Sequence, residues 1–142
     1  MEKKQTKKKK ELYEIIIREA FCKELSDYLD SLLTLGIVVK SEVKRAFGMD
    51  YKTLNNICLL ERPVLDMTLL KMPYILAYCL TEYKKKIEAE PYGKKKVEKL
   101  NGFPAIMARF KALYGFQATF CLDLINEGKD LRAIVRQTTK NN

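Results

Sequence analysis

The sequence predicts an all-α fold: a compact helical domain with a helix-turn-helix core and a C-terminal helical extension. Apolar residues recur at spacings of three and four along most of the chain, which is the pattern of helices that bury one face. Glycines stand where several of these patterns stop, as expected at helix C-termini. The composition, 47% hydrophobic and 32% charged, is that of a chain that folds around a core.

The first helix is predicted over residues 11–35, with Gly36 ending it. Its apolar residues recur at helical spacing, so we expect one stripe that packs in the core. The members of this stripe are Leu12, Ile15, Ile16, Phe21, Leu25, Leu29, Leu32 and Leu33.

Two short helices are predicted next. Ser41 can cap a brief helix that runs through Phe47, and Gly48 stops it by taking a left-handed conformation. Asp50 can accept the free amide hydrogens of a second helix that runs to about residue 60. In that second helix Leu54 and Ile57 face inward, while the outward positions hold Tyr51, Lys52, Asn55 and Asn56.

This segment resembles the Cro and lambda-repressor-like helix-turn-helix family, also called the XRE family. The likeness covers residues 36–80, through V-V-K-S-E-V-K-R-A-F-G-M-D-Y-K-T-L-N-N-I and then E-R-P-V-L-D-M-T-L-L-K. The apolar and turn positions of the family motif are occupied by Val43, Phe47, Gly48, Met49, Leu54 and Ile57. The resemblance implies that the second helix enters the major groove of double-stranded DNA while the preceding helix lies across the backbone.

The same resemblance implies a set of DNA-contacting residues. Lys52 would pair with guanine acceptors, and Asn55 or Asn56 would bond adenine bidentately. Lys40 and Ser41, at the start of the first helix of the motif, would contact phosphates. Tyr51 is a further candidate for base or phosphate contact. The alternative for all these residues is a solvated helix face.

The net charge of +9 is concentrated in two segments. Residues 1–10 contain six lysines, of which Lys7, Lys8, Lys9 and Lys10 are adjacent, and residues 84–99 contain seven. We expect residues 1–10 to form a basic, flexible tail whose lysines bind phosphate. A solubilising tail and a solvated helix face are the alternatives.

The segment A-E-P-Y-G at residues 89–93 is the predicted boundary between a helix-turn-helix domain, residues 11–90, and a C-terminal helical subdomain, residues 91–142. Pro104 suits the first turn of a helix that runs on to Gly128, and Asp130 can cap a last short helix. Gly115 lies either inside one uninterrupted helix or in the turn of a second helix-turn-helix. The aromatic residues of this half suggest packing, a homodimer element or a surface for a protein partner: Phe103, Phe110, Tyr114, Phe116 and Phe120.

Several classes of function are disfavoured. The chain has no histidine and neither of the common glycine-rich phosphate loops, so we expect no enzyme, no cofactor and no metal site. The four cysteines lack C-x-x-C spacing and are interpreted as reduced, buried thiols. No apolar run approaches the roughly 20 residues of a membrane span, and no secretory signal is recognised. We therefore expect a cytoplasmic protein without membrane contact.

The function predicted from these features is that of a sequence-specific DNA-binding transcriptional regulator of repressor type, with the size and type of a phage or mobile-element product. One alternative is a helical protein-interaction module, such as a small phage or anti-defence protein. Another is a non-specific nucleic-acid-binding accessory protein in which the lysine segments carry the binding.

Overall fold

A computed structural model describes residues 2–140, with side chains from residue 11 to residue 137, and places seven α-helices in this range. No strand occurs within it, so the predicted all-α class is confirmed. In chain order the helices are α1 (Glu2–Thr34), α2 (Lys40–Phe47), α3 (Tyr51–Leu59), α4 (Asp66–Ala89), α5 (Lys94–Tyr114), α6 (Phe116–Asn126) and α7 (Leu131–Lys140).

Helix α1 is longer than predicted. It begins at Glu2, so the backbone of residues 2–10 is helical where the sequence suggested a flexible tail. The side chains of Lys7, Lys8, Lys9 and Lys10, the predicted phosphate-binding group, lie outside the described residues.

The apolar residues of α1 do not form one core stripe, which corrects the prediction. Leu25, Leu29 and Leu32 are fully buried, whereas Leu12, Ile15 and Ile16 are more than half exposed. A helix turns by about 100° per residue, so Leu12 and Ile16 lie on the opposite side of α1 from the buried leucines. Glu11 and Glu14, on the same side as the buried leucines, are exposed as well, so the rest of the chain does not cover this end of α1.

The end of α1 is closed as predicted. Gly36 has φ 75°, and the backbone N–H groups of Ile37 and Val38 donate to the Leu32 carbonyl oxygen at 2.9 and 3.2 Å. Helix α2 begins two residues earlier than expected, at Lys40, with Val39 and not Ser41 at the N-cap position. Ser41 therefore lies in the first turn and is not the cap.

Helix α4 runs through the centre of the fold and packs against α5, α6 and α7. Six of its side chains are fully buried: Met72, Ile75, Leu76, Ala77, Leu80 and Ile87. One hydrophobic core extends from Cys22 in α1 to Val135 in α7. The segments on either side of the predicted boundary at residues 89–93 therefore contribute to the same core.

The C-terminal helices differ from the prediction in two places. Helix α5 passes through Gly102 and Pro104 without a break, so Pro104 does not begin a helix. Gly115, with φ 58° and ψ −124°, then separates α5 from α6, so the expected uninterrupted helix is wrong. This break is a single residue, whereas three residues separate α2 from α3. Asp130 caps α7 as predicted, because its Oδ1 accepts the Arg132 N–H at 3.0 Å.

The four cysteines are free thiols. Cys22 and Cys121 are buried as expected, while Cys58 and Cys79 are only partly buried. Burial raises the pKa of Cys121 to about 11 and that of Cys79 to about 12. Among the described residues there is no cluster of three or more metal-binding side chains and no helix long and apolar enough to cross a membrane.

Two buried tyrosines provide a matched stability test. The Tyr28 hydroxyl donates to the Ile106 carbonyl oxygen at 2.8 Å, whereas the buried Tyr114 hydroxyl has no hydrogen-bond partner within the described part of the chain. Burial raises the pKa of both phenols.

We expect Tyr28→Phe to lower the free energy of unfolding by about 0.5–1.5 kcal/mol, since it removes the hydrogen bond that joins α1 to the Ile106 carbonyl oxygen of α5. Tyr114→Phe should leave that free energy unchanged or raise it by up to about 1 kcal/mol, because an unpaired buried hydroxyl is costly. Urea denaturation followed by circular dichroism measures both changes. An equal loss of unfolding free energy in the two variants would contradict the finding that Tyr28 has a hydrogen-bond partner and Tyr114 has none.

Candidate nucleic-acid interface

The α2–α3 unit has the local geometry that the sequence predicts. Gly48 ends α2 with φ 74°, and its N–H donates to the Lys44 carbonyl oxygen at 2.9 Å. The turn consists of Gly48, Met49 and Asp50. A short turn with a left-handed glycine is typical of a helix-turn-helix.

Asp50 caps α3. Its carboxylate accepts the Thr53 N–H at 2.9 Å and the Thr53 hydroxyl at 2.8 Å. These hydrogen bonds, the backbone one first, hold the pKa of Asp50 below its usual range, assisted by the nearby Lys52 and Lys44. Asp50 therefore stabilises the start of α3 and is not free to contact a base.

Two buried side chains fix the orientation of α3. Leu54 and Ile57 are completely buried, as predicted, and α3 packs against both α1 and α2. The Ser26 hydroxyl of α1 donates to the Cys58 carbonyl oxygen at 2.7 Å, near the end of α3. Helix α1 thus supports α3 from the side opposite its outward face.

The outward face of α3 begins with Tyr51 and Lys52, which are both exposed. The Lys44 Nζ of α2 lies 5.2 Å from the centroid of the Tyr51 ring, which is a cation–π distance. Lys52 makes no direct hydrogen bond to any described residue, and its ammonium group is available to a ligand. Tyr51 and Lys52 therefore face outward, as the sequence predicts.

Lys40 and Asn55 are brought together. The Lys40 Nζ donates to the Asn55 Oδ1 at 2.6 Å, so this bond joins the first residue of α2 to the middle of α3. Both side chains are half-buried, whereas Ser41 beside them is exposed. The bond orients the Asn55 amide with its NH₂ group available as a donor.

Asn56 has a structural role that the sequence did not reveal. Its Nδ2 donates to the Arg62 carbonyl oxygen at 3.0 Å, and its Oδ1 accepts the Arg62 N–H at 2.9 Å. Both ends of the amide are engaged, and they stabilise the loop between α3 and α4. Asn56 is therefore poorly placed to read a base.

The structure adds arginines that the sequence reading missed. The Arg136 Nη2 of α7 donates to the Arg45 carbonyl oxygen of α2 at 2.8 Å, and the Arg132 guanidinium stacks 5.3 Å from the Tyr78 ring centroid. Arg45, Arg132 and Arg136 line one groove beside α2. The spacing of Arg132 and Arg136 puts them on one face of α7, but nothing in the sequence places that face next to α2.

Comparison of the chain with protein-family models, curated proteins and solved structures finds no match. Only the geometry and charge of the chain itself bear on its function.

Proposed function

We propose that this protein is a sequence-specific regulator of repressor type that binds double-stranded DNA, with α3 in the major groove. One observation carries the proposal: a capped helix, held by two buried residues after a glycine turn, presents Tyr51, Lys52 and Asn55 outward beside the basic helix α2. A recognition helix needs this combination of rigid support and an outward polar face.

The donor groups of Asn55 and Lys52 suggest which bases are read. With its Oδ1 bonded to Lys40, Asn55 offers its Nδ2 mainly as a donor, so the bidentate adenine contact is less favoured than a bond to an acceptor. Lys52 is also a donor. Guanine presents two acceptors, N7 and O6, in the major groove. We expect at least one guanine in the preferred site.

Phosphate contacts are assigned to the basic residues around the unit. Ser41, Lys44 and Arg45 are exposed on α2, and Arg136 lies beside Arg45. These side chains would position the protein on the backbone without selecting a sequence. Their contribution to affinity should weaken as salt concentration rises.

Selection of bound sequences from a random double-stranded DNA pool at physiological salt tests the proposal, followed by titration of the winner against scrambled DNA. The expected result is one enriched motif containing guanine, bound more tightly than the scrambled control. Salt-sensitive binding without a motif would support a non-specific accessory protein instead. No binding to either DNA would contradict any DNA-binding role and favour a protein-interaction module.

A further inference from the structure

The N-terminal half of α1 carries an apolar surface that no described residue covers. Five large apolar side chains within six positions are 51% to 65% exposed: Leu12, Tyr13, Ile15, Ile16 and Ile17. The helix meets the rest of the fold at Arg18, which bonds to Asp66 and to the Val64 carbonyl oxygen at the start of α4. We call residues 12–17 the apolar segment of α1.

This segment is apolar around more than half of its circumference, since the five residues span an arc of roughly 200° at 100° per residue. A solvated surface helix shows a narrower stripe, and a helix this apolar is usually buried. Leaving such a contiguous patch in water is unfavourable, so the patch marks an interaction site.

The charge of the sequence also changes along α1. Before the apolar segment, residues 2–10 hold six lysines and one glutamate. After it, on the same side of the helix, the exposed residues Glu19, Glu24 and Asp27 outnumber Lys23. Along the chain, the net charge thus changes from positive before the apolar segment to negative after it.

We infer that the occupant of this surface is the α1 helix of a second copy, packed antiparallel. Aligning the two apolar segments in this direction places residues 2–10 of each copy opposite residues 19–27 of the other, which pairs opposite charges. A parallel pair would bring the two lysine segments together, and like charges repel. The antiparallel contact is two-fold symmetric, as is usual for homodimers.

The apolar segment supplies much of the area that such a contact needs. The five side chains expose about 100 Å² each, so two copies offer about 1,000 Å² of apolar surface, and the partner helix covers the part of it that faces the contact. An anionic lipid surface fits less well, because Glu11, Glu14 and Glu19 lie within or beside the apolar segment. The pairing does not depend on the proposed DNA binding, and it gives the N-terminal lysines a role other than phosphate contact.

Sedimentation equilibrium of the full chain without DNA tests the pairing. The wild-type protein should be a dimer at micromolar concentrations, and Ile16→Glu should raise the dimer dissociation constant at least about tenfold, since it places a charge in the apolar contact. Phe116→Glu is the matched control, because Phe116 is 82% exposed on α6 and lies outside the contact. It should leave the dimer unchanged.

Two charge-reversed variants test whether the two α1 helices pack antiparallel. The first changes Lys7, Lys8, Lys9 and Lys10 to Glu, and the second changes Glu19, Glu24 and Asp27 to Lys. Each alone should dimerise more weakly than wild type, and a mixture of the two should form a heterodimer.

A monomeric wild-type protein, or a dimer that Phe116→Glu but not Ile16→Glu dissociates, would overturn the pairing. Binding of monomeric wild-type protein to phosphatidylserine vesicles, lost in Ile16→Glu, would assign the surface to lipid and also overturn it. All these measurements are made without DNA, so their outcome does not depend on the outcome of the DNA selection experiment.

Discussion

Replacing Leu54 with Ala is expected to lower the free energy of unfolding by about 2–5 kcal/mol, the range for a fully buried leucine that leaves a cavity. Leu54 is 0% exposed and holds α3 against α1 and α2. The total stability of a domain this size is about 5–15 kcal/mol, so the loss is a large fraction of it. Urea denaturation followed by circular dichroism measures the change.

Leu59→Ala is the matched control, since Leu59 lies in the same helix and is 64% exposed. It should change the free energy of unfolding by no more than about 0.5 kcal/mol. A Leu54→Ala variant as stable as Leu59→Ala would show that α3 is not anchored through this side chain. That result would remove the main evidence that α3 is a rigidly held recognition helix.

The second large effect concerns discrimination between DNA sequences. Lys52→Ala and Asn55→Ala should each reduce the preference for the selected site over scrambled DNA by about 1–3 kcal/mol, the usual value of a direct base contact. Binding to scrambled DNA should change much less, because phosphate contacts dominate there. Fluorescence anisotropy titrations on both DNAs at one salt concentration give the difference.

Lys111→Ala controls for the loss of a positive charge. Lys111 is exposed on α5, which packs against α1, α4 and α6. This variant should retain the full preference. If Lys52→Ala and Lys111→Ala weakened binding to both DNAs equally, Lys52 would be acting as a general charge, and the assignment of base contact would be wrong.

The features predicted correctly from sequence are those set by neighbours along the chain. The left-handed Gly48, the cap made by Asp50 and the inward positions of Leu54 and Ile57 all follow from residues within one or two helical turns. The turn conformation and the helix period are local properties, so a short window of sequence contains them.

The features that were missed depend on contacts between distant segments. Apolar spacing in α1 could not show that residues 11–17 lie at an end of the helix that the rest of the chain does not cover. Asn56 had the position of a base reader, but the chain returns at Arg62 to occupy its amide. The arginines of α7 reach α2 because these two helices pack against each other, as the bond from Arg136 to Arg45 shows.

Gly102 and Pro104 show that local sequence preferences can also fail to predict structure within a single helix. Both are unfavourable in helix interiors, and Pro104 was expected in the first turn of a helix. Helix α5 nevertheless continues through them, with Phe103 and Phe110 buried in the core. Burial of aromatic side chains on both sides of Pro104 outweighs the local preference.

The most direct test of the central claim, that α3 reads base edges in the major groove, combines a protein variant with a single-atom change in the DNA. Replacing each guanine of the selected site in turn with 7-deazaguanine removes one major-groove acceptor, N7. At one position the substitution should weaken wild-type binding but have little further effect on Lys52→Ala or Asn55→Ala, because the contact is already lost. If every substitution weakened wild type and both variants equally, α3 would not be the element that reads the site.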